Sequence, residues 1–322
     1  MTPVRLLVVT AVTAEREAAA RGLEPAAPPA EHALPGHVLR RTGDGTAPGP
    51  LRADLLAGGV GPAAAAAATG AALTAAALRD EPYHLVVAAG IGGGFAPHAP
   101  VGAAVVADRI VAADLGADSP DGFLPVDTLG FGRTTHTCPP RLAAAAARAL
   151  GAAHAPVLTV STATGTAARA RALAHAHPDA GAEAMEGFGV AEAAAAHGIP
   201  VLEIRTVSNA VGPRDRAAWR IGEALAALQE AFAALRTVLE KGPHPRTPER
   251  TRPARSGGPG DHVARPRRFA VSTATSPACG DDFQGFPQTT RPGPRKPSTP
   301  GTCCPSRTRR DPFSPQQHGG SP

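Results

Sequence analysis

The sequence predicts an α/β fold in which helices flank a central mixed, mostly parallel sheet. Runs of β-branched and aliphatic residues alternate with alanine-rich stretches from the N-terminus to about residue 241. Several of these runs are apolar at consecutive positions, as expected for strands that helices cover on both faces. Strands that alternate with helices along the chain favour a parallel sheet with helices on its faces.

The predicted elements follow one another along the chain in a simple order. Strands are predicted at 4–12, 51–60, 84–93, 103–115, 156–165 and 199–208, and helices at 61–79, 140–150, 166–176, 187–197 and 216–240. Pro62 stands at the first position of its helix, where its missing N–H costs nothing. Two weaker extended segments, near 37–42 and 104–114, are candidates for antiparallel pairing.

The composition divides the chain into a catalytic domain at 1–241 and a tail at 242–322. The tail is rich in Pro, Arg, Gly, Ser and Thr, lacks hydrophobic periodicity, and is predicted to be disordered. It holds 13 Lys/Arg against 5 Asp/Glu, whereas the first 241 residues hold 19 against 22, so the positive net charge belongs to the tail. A basic tail can bind nucleic acid, but interleaved aromatic residues are missing, and no nucleic-acid partner is expected.

The compartment is predicted from what the sequence lacks. No leader-like segment precedes the first strand, and no apolar run reaches the length that spans a bilayer. Of the four cysteines, Cys138 stands alone before the tail, and Cys279, Cys303 and Cys304 lie within it without the spacing of zinc ligands. We expect a cytoplasmic, reduced protein that contacts no membrane and binds no metal.

Ligands of open α/β sheets bind beyond the carboxyl ends of the strands, so the residues that follow each strand are the candidates for a site. Glu15 follows the first strand, although a glutamate there can also simply stabilise the next helix through its dipole. Glycine-rich segments lie at the ends of the second and third predicted strands, at 58–61 and 90–94. They are tight turns or backbone cradles for an anion or a sugar hydroxyl.

Two further candidates come from the segments before and after the fifth predicted helix. Glu186 follows Met185, and a carboxylate can accept hydrogen bonds from two vicinal hydroxyls of a ribose. Ser208 and Asn209 follow the last strand, where the amide of Asn209 offers both a donor and an acceptor to a purine base. Each of these residues alone is equally explained as a structural cap, but several polar groups at neighbouring strand ends together indicate a site.

An ordered set of motifs over residues 4–240 resembles the nucleoside phosphorylase/nucleosidase superfamily. The resemblance is to its hydrolytic branch, which contains methylthioadenosine/S-adenosylhomocysteine nucleosidase. The motifs are "VVTAVTAERE", "GGVGPAAAA", "AAGIGGGF", "VVADRIVAADLGADSPDGF", "EAMEGFGVAEAA" and "IRTVSNAVGPRDRAAW". No single motif is specific, whereas the ordered set is. The tail has no counterpart in this resemblance.

The resemblance implies roles for individual positions. Glu15 matches the carboxylate that positions or activates the attacking water, and Glu186 matches the one that holds the ribose hydroxyls, with Met185 against the sugar. The segment Gly90, Ile91 and Gly92 matches the loop near the water and the ribose. Asn209 matches the residue that contacts N7 of the leaving base, with Ser208 beside it.

At position 209 this sequence departs from the adenine-specific nucleosidases, which have Asp there. An asparagine donor suits N7 or O6 of a 6-oxopurine, so the implied reaction is hydrolysis of an N-glycosidic bond with release of hypoxanthine. The substrate implied is futalosine, an intermediate of menaquinone biosynthesis, and neither a metal nor an organic cofactor is required. The alternatives are another purine nucleosidase, a phosphate-dependent phosphorylase and a non-catalytic nucleoside-binding module.

The 5′ end of futalosine bears a benzoate, which requires an arginine or a helix N-terminus. Arg214 is the main candidate, and Arg216, Arg109 and His136 are the others. The resemblance also implies a homodimer or a higher homo-oligomer, with residues 109–136 at the interface. Trp219 and Phe232 lie at helical positions and are predicted to be core residues.

Overall fold

The computed structural model of the chain describes residues 3–23, 30–42 and 50–241. The first half contains β1 (Val4–Thr10), α1 (Thr13–Leu23), β2 (Ala30–Leu34), β3 (His37–Arg41), β4 (Leu51–Ala57), α2 (Pro62–Leu78), β5 (Leu85–Gly94) and β6 (Ala104–Ala112). The second half contains β7 (Gly116–Ser119), β8 (Gly122–Pro125), β9 (Thr135–Thr137), α3 (Pro140–Leu150), β10 (Ala153–Thr159), α4 (Ala167–Ala176), β11 (Ala182–Ala184), α5 (Gly187–Ala196), β12 (Val201–Ala210), a short 3₁₀ turn (Arg216–Ala218) and α6 (Ile221–Lys241).

One mixed sheet forms the centre of the molecule. Its strand order is β11-β10-β6-β12-β5-β1-β4-β3-β2, and β9 pairs with β6. β1 is parallel to both β4 and β5, and β12 is parallel to β5, whereas β12 and β6 are antiparallel. β11 also pairs with β5, so the strands β5, β12, β6, β10 and β11 form a closed ring.

Helices cover this sheet in two packed groups. α1 and α3 pack against α6, and α2 packs against α5. The central strands are buried nearly throughout; Leu6, Leu7 and Val8 of β1 are fully buried. This double coverage explains why the strands are apolar at consecutive positions.

The predicted α/β class and its main elements are confirmed. All six predicted strands and all five predicted helices are present, with ends that differ by up to six residues, and α2 begins at Pro62 as predicted. The extended segment near 37–42 is the antiparallel strand β3. The short strands β2, β7, β8, β9 and β11 were not predicted, because three to five residues are too few to show a period of two.

Two further predictions concern membrane-spanning helices and the C-terminal tail. None of the helices in the described ranges is long and apolar enough to cross a bilayer. The predicted tail, 242–322, lies outside the described residues, and the boundary at residue 241 stays a prediction.

Candidate active site

A cavity of about 340 Å³ lies where the ends of β1, β5, β11 and β12 meet. Eight of the nine predicted site residues line it: Glu15, Ile91, Gly92, Met185, Glu186, Ser208, Asn209 and Arg214. These residues come from segments almost 200 positions apart in the sequence. The expectation that polar groups at the strand ends share one site agrees with this arrangement.

Glu15 is held by backbone N–H groups at the floor of the cavity. Its Oε2 accepts hydrogen bonds from the N–H groups of Ala11 (3.0 Å) and Val12 (3.2 Å), and its Oε1 accepts one from Ile91 (2.9 Å). The side chain is 4% exposed, and this burial raises the pKa of Glu15 above its ordinary value, against the opposing effect of Arg205. A fixed carboxylate of raised pKa is a suitable proton acceptor for a water molecule.

Glu186 lies at the N-terminus of α5, but its side chain does not cap that helix. Its Oε1 accepts a hydrogen bond from the N–H of Gly61 (3.2 Å), at the start of α2, and its Oε2 lies 3.2 Å from Nη1 of Arg205. Glu186 is therefore turned into the cavity by two other segments of the chain. Oε2 also accepts the N–H of Met185 (3.4 Å), so Oε1 is the oxygen that keeps a further lone pair for a ligand hydroxyl.

Arg205 is a buried cation behind the two carboxylates, and the sequence analysis missed it. It is 1% exposed, and its Nε donates to Oε1 of Glu203 at 2.8 Å. The three carboxylates Glu15, Glu186 and Glu203 thus share one guanidinium, and the nearby carboxylates raise its pKa against the effect of burial. The sequence holds one signal for this pair: Glu203 and Arg205 stand two apart in a buried strand, hence on the same face.

The glycine segment 90–94 is not a loop, contrary to the prediction. It is the last half of β5, and it pairs with β12 and with β11. A methyl group on Gly92 would lie 2.7 Å from the carbonyl oxygen of Glu183, so glycine lets β11 approach and close the ring. Gly90 lies behind Glu15 instead of lining the cavity, and a methyl group there would lie 2.6 Å from Oε1 of Glu15.

Ser208 and Asn209 are both turned towards the cavity by a β-bulge. The pairing of β12 with β5 shifts register between Val207 and Asn209, which leaves Ser208 as the extra residue. Oγ of Ser208 donates to Oδ1 of Asn209 at 2.9 Å, and Nδ2 of Asn209 donates to the carbonyl of Ala210 at 3.0 Å. The amide is therefore oriented by its neighbours and keeps a second N–H for a ligand.

The outer end of the cavity combines a cation with an aromatic ring. The guanidinium of Arg214 lies over the ring of Trp219, 5.4 Å from its centre, and both side chains line the cavity. The prediction that Trp219 is a core residue was wrong, because the chain forms only a 3₁₀ turn there before α6 begins. Phe232 is fully buried, as predicted.

Three other residues considered for the benzoate do not line the cavity of this chain. The guanidinium of Arg216 lies 6.0 Å from the centre of the Trp219 ring, and Arg109 pairs with Asp108 and Asp179. His136, a buried residue of β9, pairs with Glu192 at 2.6 Å.

Glu183 is a second polar residue of the site that sequence reasoning missed. It is buried, lines the cavity, and holds the segment after β10 by accepting hydrogen bonds from the N–H (2.8 Å) and the hydroxyl (2.5 Å) of Thr164. The carbonyl of Gly165 in that segment accepts the N–H of Arg214 at 3.2 Å. These hydrogen bonds connect the segment after β10 to Glu183 and to Arg214 on the other side of the cavity.

Comparisons with known proteins agree with this fold and site. A family model described as the phosphorylase superfamily matches residues 22–241. The futalosine hydrolase of Streptomyces coelicolor is 64% identical over 242 residues, which is 75% of this chain and 99% of that protein. The futalosine hydrolase of Acidothermus cellulolyticus is 46% identical over 237 residues, which is 72% of this chain and 90% of that protein.

A solved structure shows the same fold at low sequence identity. It is a methylthioadenosine/S-adenosylhomocysteine nucleosidase from Colwellia psychrerythraea in complex with adenine, with a TM-score of 0.62 and 19% identity over 76% of this chain and 98% of that one. The resemblance stated from the motifs is confirmed by the family match and by the two relatives. The chain therefore belongs to the phosphorylase superfamily and, within it, to the futalosine hydrolase family.

Proposed function

We propose that this chain hydrolyses the N-glycosidic bond of futalosine and releases hypoxanthine and dehypoxanthine futalosine, a step of menaquinone biosynthesis. The observation that carries the proposal is the convergence of Glu15, Glu186 and Asn209 on one cavity. Their functional groups match the three demands of the reaction: an acceptor for the proton of water, acceptors for the ribose hydroxyls, and a donor to the departing base.

Glu15 activates the attacking water. Cleavage of an N-glycosidic bond passes through an oxocarbenium-like sugar, so a weak nucleophile suffices if it is held at the anomeric carbon. Three backbone N–H groups fix the carboxylate, and its raised pKa makes it a stronger base than an ordinary glutamate. General-base catalysis of this kind typically contributes about 10²- to 10⁴-fold.

Glu186 binds the ribose hydroxyls, and Met185 provides an apolar surface beside the sugar. Met185 is partly buried and packs against the hydrophobic cluster that contains Phe95 and Val111. The negative charges of Glu186 and Glu15 lie beside the cation that develops on the sugar. They therefore stabilise the transition state more than the ground state, which is the requirement for catalysis.

Asn209 selects the base. Its amide is held by Ser208 and by the carbonyl of Ala210, and its remaining N–H donates to N7 or O6 of hypoxanthine. A donor at these atoms withdraws charge from the base and makes it a better leaving group.

Arg214 and Trp219 bind the 5′ extension of the substrate. A benzoate consists of an aromatic ring and a carboxylate, and the outer end of the cavity offers an indole ring beside a guanidinium. Arginine binds carboxylates through paired N–H groups. Arg214 and Trp219 stack on each other, so both side chains are positioned before the benzoate binds.

Hydrolysis is favoured over phosphorolysis by the charge of the site. In the described ranges Arg214 is the only Lys or Arg that lines the cavity, and it lies at the outer end. Arg205 is already surrounded by Glu15, Glu186 and Glu203. A phosphate ion near the sugar would face these carboxylates without a cation of its own.

The proposal includes assembly into at least a homodimer through the segment 109–136. Several large apolar side chains of this segment are exposed, and Phe131 is 81% exposed. A second copy that covers them would complete the outer end of the cavity. Light scattering coupled to gel filtration checks this, and a monomer at working enzyme concentration would contradict it.

The test of function is base release from futalosine, inosine and methylthioadenosine, each with and without phosphate. We expect hypoxanthine from futalosine at a rate that does not depend on phosphate, and slow or no release from the other two. Preference for methylthioadenosine would refute the substrate, a requirement for phosphate would refute hydrolysis, and equal use of inosine would reduce the protein to a general nucleosidase.

A further inference from the structure

Glu203 is a fully buried carboxylate to which the mechanism above gives no role. It lies on β12 with 0% exposure, and its Oε1 accepts the hydrogen bond from Nε of Arg205. Its Oε2 has no hydrogen-bond partner among the described residues. An ionisable group in such a position costs free energy unless it is well paired, so its presence requires a reason.

The space for this carboxylate is made by the residue that follows Glu186. A methyl group on Gly187, the first residue of α5, would overlap the Glu203 carboxylate. α5 has no acidic residue in its first turn, so Glu203 places a carboxylate next to the positive end of this helix. Glu203 therefore contacts the backbone that carries Glu186 as well as the guanidinium that binds it.

Arg205 connects the two carboxylates through different nitrogen atoms. Nε faces Glu203 at 2.8 Å, and Nη1 faces Glu186 at 3.2 Å. The guanidinium is planar and rigid, so a hydrogen bond that fixes Nε also fixes the direction of Nη1. Without a partner for Nε, only the contacts of Nη1 with Glu186 and with the carbonyl of Ile91 (3.5 Å) remain to orient the group.

We propose that Glu203 is a positioning residue, which holds the Arg205 guanidinium in the plane where it meets Glu186 and so places the ribose-binding carboxylate. The inference rests on the proposed function, because the role of Glu186 does. It adds a residue that does not touch the substrate but determines where a substrate-binding group lies.

The charges around Glu203 give this role a dependence on pH. Burial raises the pKa of Glu203 to about 7, with Glu186 acting in the same direction and Arg205 in the opposite one. The Cys138 thiol also faces Glu203, but burial and then Glu203 raise its pKa to about 12, so it stays neutral. Glu15 also belongs to this group of charges, because it interacts with Arg205. Burial thus places the titration of Glu203 near neutral pH.

The test compares Glu203→Ala with Glu203→Gln in the full-length protein. Alanine removes the acceptor for Nε, whereas glutamine keeps an acceptor oxygen of similar position and removes the charge. We expect Glu203→Ala to lower kcat/KM for futalosine by about tenfold or more, the range for losing a hydrogen bond to a charged group. Glu203→Gln mimics the protonated carboxyl, so its loss should be smaller than that of the Ala variant and should equal the fall of the wild-type kcat/KM below pH 7. The inflection near pH 7 should be absent from its profile.

Asp54→Asn is the matched control. Asp54 is also a buried carboxylate paired with an arginine, Arg41, but it lies on β4 outside the cavity. This variant should lower the melting temperature and leave the pH profile unchanged.

The wild type is measured first, so that the two hypotheses fail separately. A wild type inactive on futalosine refutes the proposed function. An active wild type with an unaffected Glu203→Ala variant, or with Ala and Gln variants that are equally impaired, refutes the positioning role. If Glu203→Ala does not fold, the Gln variant decides, because an unchanged inflection near pH 7 overturns the inference.

Discussion

Replacing Glu15 with glutamine tests the assignment of the general base most directly. Glutamine has nearly the same shape, but it cannot accept the proton of water. Loss of general-base catalysis typically costs about 10²- to 10⁴-fold in rate, or roughly 3–5 kcal/mol of transition-state stabilisation. We expect kcat to fall by at least about 10²-fold.

The surroundings of Glu15 indicate what the substitution does to the fold. The carboxylate accepts hydrogen bonds from Ala11 and Val12 on one oxygen and from Ile91 on the other. A glutamine is best placed with its single oxygen towards the N–H groups of Ala11 and Val12. Its NH₂ group then faces the N–H of Ile91, and the hydrogen bond from Ile91 is lost. The lost bond costs about 1–3 kcal/mol. It is partly offset because a buried charge is also removed, so the variant should fold.

The assay separates these effects. Steady-state release of hypoxanthine gives kcat and KM, and thermal unfolding shows that the variant is folded. Glu17→Gln is a matched control on the same helix, because Glu17 pairs with Arg16 and Arg40 and does not line the cavity. We expect the control to keep wild-type kcat.

The pH profile provides a second criterion. The base must be ionised, and burial raises its pKa above 4.5, so wild-type activity should fall as the pH decreases through a value above 4.5. Glu15→Gln should lack this acid limb. A folded variant that retains kcat within about threefold of the wild type, against the expected loss of 10² or more, would refute the role of Glu15 as the base.

Three further predictions concern the base, the 5′ end and the buried carboxylate. Asn209→Asp should shift base release from hypoxanthine towards adenine, even at a large loss of rate. Competition between futalosine and methylthioadenosine measures this ratio, and an unchanged ratio would mean that residue 209 does not select the base. Arg214→Ala should weaken futalosine cleavage by about 1–3 kcal/mol in kcat/KM and leave inosine cleavage almost unchanged, whereas equal losses would indicate a structural role. Glu203 has a pKa of about 7 in the folded chain against 4.5 ordinarily, so the folded state binds the proton more tightly and wild-type stability should fall as pH rises from 4.5 to about 7. Glu203→Gln should lack this decline, which is on the order of 3 kcal/mol, and parallel unfolding curves across this range would contradict it.

Much of the fold could be predicted because its main elements have strong local patterns. β1 and α2 were predicted within two residues of their observed ends. A buried aliphatic run indicates a strand, and an alanine-rich run after Pro62 indicates a helix. β11, of three residues, could not be predicted in this way. Its pairing with both β10 and β5 depends on long-range packing and not on its own composition.

The site residues were predicted to different degrees for a physical reason. Glu15 and Asn209 follow strands, where the fold class itself places ligands. Trp219 was assigned to the core because helical spacing was assumed for a segment that is a 3₁₀ turn. Arg205 was missed because the sequence around it gives no sign of the distant carboxylates, Glu15 and Glu186, that face it.

By itself, the sequence determined the fold class, the main strands and helices, and the residue types at the strand ends. These properties depend on hydrophobic periodicity and on the chemistry of single side chains, which local order along the chain records. Only the tertiary structure decided that the glycines of β5 close a ring of strands, and that Arg205 joins Glu203 to Glu186 beneath the cavity. Such arrangements depend on which distant segments approach within hydrogen-bonding distance, and that is settled by packing the whole chain at once.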